Sequence, residues 1–240
     1  PVQGGEGSFE TERVWGMNGD VSVPPFAVKD CALIAIATGK RAQNLQELTD
    51  RLREVEANSI FYHFWGGLLR PRFDNPEYHN DFAVWVAESL HNKALAEKLA
   101  VIDASSFESI EDLRNEVIEI LEEELDEADY PSWAKKDSLF HFIRCRLVIF
   151  DTKVVVPLPE DLVPRLPTLS LGSIFFHFID GRRRNKNSLD DFRNWTASFG
   201  PSYEDLVRRI GEICPYFAPL ARLREQLSEA FRVYFEGEKA

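Results

Sequence analysis

"SIFYHFWGGLLR", residues 59–70, returns further along the chain as "SIFFHFIDGRRR", residues 173–184. Sliding the sequence against itself by 114 residues extends the match in both directions. Phe26 falls on Phe140, Cys31 on Cys145, Leu33 on Leu147, Thr38 on Thr152, Leu48 on Leu162, Arg51 on Arg165 and Leu52 on Leu166. The quoted segments then add Ser59, Ile60, Phe61, His63, Phe64, Gly67 and Arg70, each on an identical partner, with no gap. After a four-residue deletion "DFAVW" (81–85) meets "DFRNW" (191–195). "SFESIEDLRNEVIEIL" (106–121) then shares apolar spacing with "YFAPLARLREQLSEAF" (216–231), Leu113 on Leu223 and Val117 on Leu227. This self-similarity predicts a tandem duplication of a unit of roughly 110 residues, too long for a solenoid repeat. The expected division is a leader over 1–17, one copy over 18–130 and a second over 131–240. Two copies of one fold pack about a pseudo-twofold axis, as the subunits of a dimer do.

Each copy helps to read the other. "CALIAIATGKRAQNLQELTDRLREV" could be one long helix, but its counterpart "CRLVIFDTKVVVPLPEDLVPRLPTL" cannot. Its β-branched residues favour strand, and Pro157 and Pro159 break a helix. The reading is a short β-hairpin in each copy: strands 30–36 and 40–43 about a turn near Thr38-Gly39, and strands 144–150 and 153–157 about a turn near Thr152-Lys153. A helix follows each, capped at Asn44 in the first copy and kept short or irregular by Pro164 in the second. The remainder reads as helix: 59–70 and 173–184, capped by Ser59 and Ser173; 78–90 and 189–199, with Ser188 and Asp191 resembling a capping box; 93–101 and 202–212; 107–126 and 216–235. Ile110, Leu113, Val117 and Leu121 give the long helix of the first copy an apolar stripe. The acidic run at 122–133 and Pro131 mark the link between copies. The expected class is therefore α+β, predominantly helical, with a short hairpin and about five helices per copy.

Composition narrows function. The 240 residues carry a net charge of −12, with 44% apolar and 28% charged residues. So acidic a surface repels phosphate backbones and anionic lipid, which argues against nucleic acid and membrane surfaces as partners. No apolar run is long enough to span a bilayer, and the polar, Gly-rich N-terminus is no signal peptide. Met17 is the sole methionine, so residues 1–16 read as a leader or linker with little packing. Three cysteines without C-x-x-C spacing suit a reducing cytoplasm better than a disulfide framework or zinc ribbon. Cys31 and Cys145 fall at equivalent places in apolar strands and read as buried structural thiols.

On a helix His63, Gly67 and Arg70 share a face, as do His177, Gly181 and Arg184. Glycine costs about 1 kcal/mol relative to alanine inside a helix, so something comes close at Gly67 and Gly181: a partner helix or a ligand. Two readings compete. In the structural one each histidine is a core or interface residue with a satisfied hydrogen bond, the glycines let the two His helices approach, and the arginines pair with carboxylates. In the functional one His63, Arg70, Asp81, His177, Arg184 and Asp191 hold a small anionic ligand, a neutral imidazole serving as base or hydrogen-bond partner and Asp orienting His or clamping Arg. Arg182, Arg183 and Lys186 add an anion patch to the second copy; the alternative is a solvated basic turn at a helix C-terminus. Tyr62 and Trp65 are expected to enclose His63, so that His63→Ala costs more stability than His177→Ala. No metal site is expected, because His63, His79 and His91 lack ligand spacing, and no cofactor motif is present.

Together "ATGKRAQNLQEL", "NSIFYHFWGGLLRPRFDNPEYHNDFAVWV" and "GSIFFHFIDGRRR" resemble a bacterial and archaeal family known only as domain-of-unknown-function family 5752. The resemblance runs from about residue 22 to the end. It implies a stand-alone cytoplasmic protein and assigns no catalytic residues. Three functions stay open: an accessory protein binding a small anion near the paired His helices, an enzyme acting on a phosphorylated or carboxylated metabolite with a histidine acid or base, and an adaptor presenting its acidic face to a protein partner. Neither enzymatic activity nor oligomeric state is decided by these residues.

Overall fold

The computed structural model describes residues 23–69, 77–127 and 133–237. The leader with Met17, Arg70 and Pro131 lie outside the described residues. The protein is mixed α+β and mostly helical. In chain order it runs β1 (Phe26–Ala42), α1 (Leu45–Glu54), α2 (Ala57–Trp65), α3 (Asp81–Ser89), α4 (Lys93–Ala100) and α5 (Ile110–Glu127). It continues β2 (Phe140–Val156), α6 (Leu171–Ile174), α7 (Gly181–Arg184), α8 (Asp191–Ala197), α9 (Glu204–Gly211) and α10 (Leu220–Glu236). A π turn over Phe175–Asp180 joins α6 to α7. The cap at Asn44 accepts the Glu47 N–H. The helix expected after the second strand breaks into 3-10 turns at Pro159–Leu162 and Leu166–Thr168, as the prolines dictate.

The hairpins are not there. β1 and β2 are single strands of 17 residues that pair with each other, antiparallel, in one two-stranded ribbon. The expected turns are bulges. Thr38, Gly39 and Lys40 stand against Phe142 alone, and Thr152 and Lys153 stand between the pairs Val28–Val154 and Lys29–Asp151. Each bulge turns on a residue with positive φ, Gly39 at 78° and Lys153 at 61°. Each is pinned by a threonine hydroxyl donating across the ribbon, Thr38 to the Phe142 carbonyl (2.7 Å) and Thr152 to the Val28 carbonyl (2.5 Å). A glycine or a polar pair after threonine serves a bulge as well as a turn, and local sequence carries no sign of a partner 114 residues away.

Under the 114-residue offset the pairing maps onto itself. Leu33 pairs with Leu147, its own counterpart, while Cys31–Ile149 and Ala35–Cys145 exchange places. The arrangement is consistent with two similar halves. The strand ends cross over between them. Phe26, at the start of β1, packs on His177, Phe192 and Trp195, and the Trp195 indole donates to the Pro24 carbonyl at 2.8 Å. Phe140, at the start of β2, packs in the same way on His63, Phe82 and Trp85, and the Trp85 indole donates to Ser138 at 2.7 Å. The core is thus continuous across the chain, with Leu113, Val117 and Leu121 of α5 and Leu223, Leu227 and Phe231 of α10 fully buried. Fully buried aromatic side chains of this size are worth about 1.5–3 kcal/mol each, so the exchanged ends bind the halves firmly.

Candidate functional site

Both His helices begin earlier than Ser59 and Ser173. Glu56 precedes α2, and the Ser59 hydroxyl instead donates to the Ile143 carbonyl at 2.8 Å. Ser170 caps α6 by accepting the Ser173 N–H. These starts aim each imidazole at a strand of the other half. His63 Nδ1–H donates to Asp81 Oδ2 at 2.9 Å, and its Nε2 accepts the Ile143 N–H at 3.1 Å. His177 repeats the set with Asp191 Oδ2 (2.8 Å) and the Lys29 N–H (2.9 Å). Lys29 and Ile143 are counterparts. A nitrogen that accepts a backbone N–H carries no hydrogen itself, which fixes both rings as the neutral Nδ1–H tautomer.

Both imidazoles are only 3% exposed. Tyr62, Phe82 and Phe140 flank one, and Phe176, Phe192 and Phe26 flank the other. Trp65 stacks on Phe61 rather than on His63. The two helices meet where Phe61 packs edge-on against Phe175, but the imidazoles occupy separate, equivalent niches. The close approach at Gly181 comes from α8, not from the other His helix: a Cβ there would lie 3.0 Å from the Asp191 backbone nitrogen.

The arginines of the second half are largely engaged. Arg184 donates to Asp180 Oδ2 (2.8 Å), Asp191 Oδ2 (2.7 Å) and the Phe176 carbonyl (3.0 Å). Arg183 donates twice to Asp180 Oδ1. Arg182 lies over Phe178, 3.8 Å from Asp190, and its Nε and Nη2 are buried without a hydrogen-bond partner. Lys186 is exposed. Burial pushes the Asp191 carboxyl up, but hydrogen bonds from His177 and Arg184 outweigh it and hold the group below its ordinary value. Burial works against the Arg184 charge too, and Asp191 with Asp180 reverses it, so the guanidinium holds its proton more tightly. Burial pushes the Asp190 carboxyl up although Arg193 and Arg182 face it.

Sequence reasoning missed Asp180 and Asp190. Asp190 is the cap of α8, accepting the Arg193 N–H, and Asn80 caps α3 in the same way. The polar residue before "DF" in both copies was the available signal. Ser188 is no cap; it sits at φ 55°. The buried thiols behave alike: Cys31 donates to the Gly172 carbonyl and Cys145 to its counterpart Asn58. Burial pushes Cys31 up to about 12 and Cys145 up to about 11, so neither forms the thiolate a nucleophile needs at neutral pH.

A groove of about 810 Å³ lies elsewhere, between α10 and the proline turns after β2. Its origin is a divergence between the halves. In the first half Arg53 pairs with Asp50 and Glu122. The counterparts are Pro167, Pro164 and Arg232. Arg232, standing where the first half has the acid Glu122, faces prolines instead of an ion partner across the groove; among the described residues it pairs with Glu229 on its own helix, and its Nη1 is buried and without a hydrogen-bond partner. Arg224, by contrast, is spoken for, donating to the Leu169 carbonyl as Arg114 does to Val55. Among the described residues no group of three or more His, Cys, Asp or Glu side chains is arranged to hold a metal, and no helix is long and apolar enough to cross a membrane.

Comparison with known proteins adds three findings. A family model described as a family of unknown function, DUF5752, matches residues 23–232. No curated protein matches the chain. The fold is similar to that of OrfY from Thermoproteus tenax, with a TM-score of 0.77 and 23% identity over 88% of this chain and 96% of that one.

Proposed function

The chain belongs to the DUF5752 family, whose description names no activity, and on that premise we propose an accessory protein that binds a small ligand through an anionic group. The ligand's carboxylate or phosphate sits on Arg232, and its apolar part lies against Val163, Pro164, Pro167 and Phe235. The observation that carries this reading is that Arg232, which lines that groove beside Glu229 and Glu236, has its Nη1 without a hydrogen-bond partner. A guanidinium nitrogen without a partner has a hydrogen bond to offer an arriving anion. Both histidines, with every ring nitrogen engaged, serve as clamps between the halves rather than as an acid or base.

The second reading keeps the ligand at the His helices, with Arg184, Asp191 and the patch of Arg182, Arg183 and Lys186. What favours it is Arg182, whose Nε and Nη2 are also without partners. A thermal-shift screen of carboxylated and phosphorylated metabolites separates the two. Stabilising hits lost in Arg232→Gln and kept in Arg184→Ala support the groove. Hits lost only in Arg184→Ala move the site to the His helices, and no hit at all leaves the adaptor. The same reading takes the two halves as a tandem duplication, supported by the self-mapping strand register and the paired His–Asp clamps.

A further inference from the structure

On the premise that Arg232 anchors a ligand in the groove beside α10, we infer that this ligand is a zwitterion: an α-amino acid with an apolar side chain, its ammonium group held at the Glu236 end. The lining carries four carboxylates, Glu160, Glu225, Glu229 and Glu236, against two guanidiniums, Arg224 and Arg232. A ligand that is only an anion is drawn to one nitrogen and repelled by the walls around it. A ligand that brings a positive charge of its own is not.

The carboxylates are not equivalent. Glu229 takes both Nε and Nη2 of Arg232, and Glu225 takes Arg222. Glu160 and Glu236 make no ion pair among the described residues. Both belong to one end of the groove. Glu236 closes α10, and Glu160 stands on the Pro159–Leu162 turn, which packs on α10. Burial, followed by the charge of Glu160, pushes the Tyr203 hydroxyl up, and Tyr203 packs on Phe235, the neighbour of Glu236. The carbonyl end of a helix adds negative charge, and α10 has no basic residue in its last turn to answer it. An ammonium group suits that end, with the Phe235 ring beside it.

The anion's place is one turn back. The Ser228 hydroxyl donates to the Arg224 carbonyl, and Arg224 Nη1 to the Leu169 carbonyl. Arg232 Nη1 is left as the donor without a partner. One nitrogen suits a carboxylate better than a phosphate with three oxygens to satisfy. Residues four apart on a helix stand about 5–6 Å apart at Cβ, so Arg232 and Glu236 together reach two groups carried on a single carbon. The two ends of a peptide lie farther apart.

The test is isothermal titration calorimetry of the full chain with L-valine, L-leucine, L-isoleucine, L-methionine and L-phenylalanine, each beside its deaminated acid. At least one amino acid is expected to bind, and its deaminated acid to bind about tenfold more weakly or worse. Glu160→Gln combined with Glu236→Gln should weaken the amino acid and spare the deaminated acid, whereas Arg232→Gln should remove both. A deaminated acid that binds as tightly as its amino acid, and is lost in Arg232→Gln, overturns the zwitterion and leaves the groove reading standing. Amino-acid binding that survives the double glutamate variant overturns it too. Failure of all five to bind overturns it whatever the anion screen returns, and only a blank screen takes the groove reading down as well.

Discussion

His63 and His177 decide how the residue scale is read. A neutral ring between a carboxylate and a backbone N–H is a two-ended strut, and its removal leaves the strand N–H of Ile143 or Lys29 without its acceptor in an aromatic niche. His63→Ala and His177→Ala are each expected to cost about 2–4 kcal/mol, the sum of a cavity and an unpaired buried N–H, read as a fall in chemical-denaturation midpoint. The costs should be close to one another. Trp65 stacks on Phe61 instead of setting His63 apart, and among the described residues Phe142 is an additional ring neighbour of His63. A substitution that leaves the midpoint unchanged would refute the strut. The histidines, their aspartates and Arg184 were legible in sequence because their types and spacing recur. Their partners Lys29 and Ile143 were not, since a backbone N–H leaves no mark in residue identity.

At the scale of elements the ribbon is held by close approach to the His helices. Gly172 is the tightest point. A Cβ there would lie 2.4 Å from the Cys31 carbonyl oxygen and 2.1 Å from Asp30 Oδ1. The side chain could swing, but the strand carbonyl cannot. Gly172→Ala is therefore expected to destabilise by about 1–3 kcal/mol, while Gly211→Ala, whose nearest neighbour is the flexible Arg193 guanidinium, costs much less. Equal melting temperatures for the two variants would contradict the packing. Helix positions were readable from apolar periodicity, as α5 and α10 attest. Strand pairing was not: Thr38-Gly39 and Thr152-Lys153 are good turn sequences, and only the distant register makes them bulges.

For the whole molecule, the division of the sequence and the division of the core do not coincide. Each aromatic niche is completed by a strand end from the other side, Phe140 against Phe82 and Phe26 against Phe192. Residues 23–127 expressed alone lack β2 and with it Phe140, and are expected to show no cooperative unfolding transition by circular dichroism. Addition of the fragment 133–237 should restore one. A first half that melts cooperatively alone would show that its core closes without the exchange. The repeat was plain in the sequence because identities accumulate along one offset. The exchange was hidden because a repeat fixes what is alike, not which copy a strand serves.

That exchange also sets an order of events during synthesis. A nascent chain that has cleared the ribosome only as far as α5 has no strand to lay beside β1 and nothing to seal its aromatic niche. Closing the ribbon waits on a loop of just under a hundred residues, from Ala42 to Phe140, a slow step, so the early-made half stays open until β2 arrives.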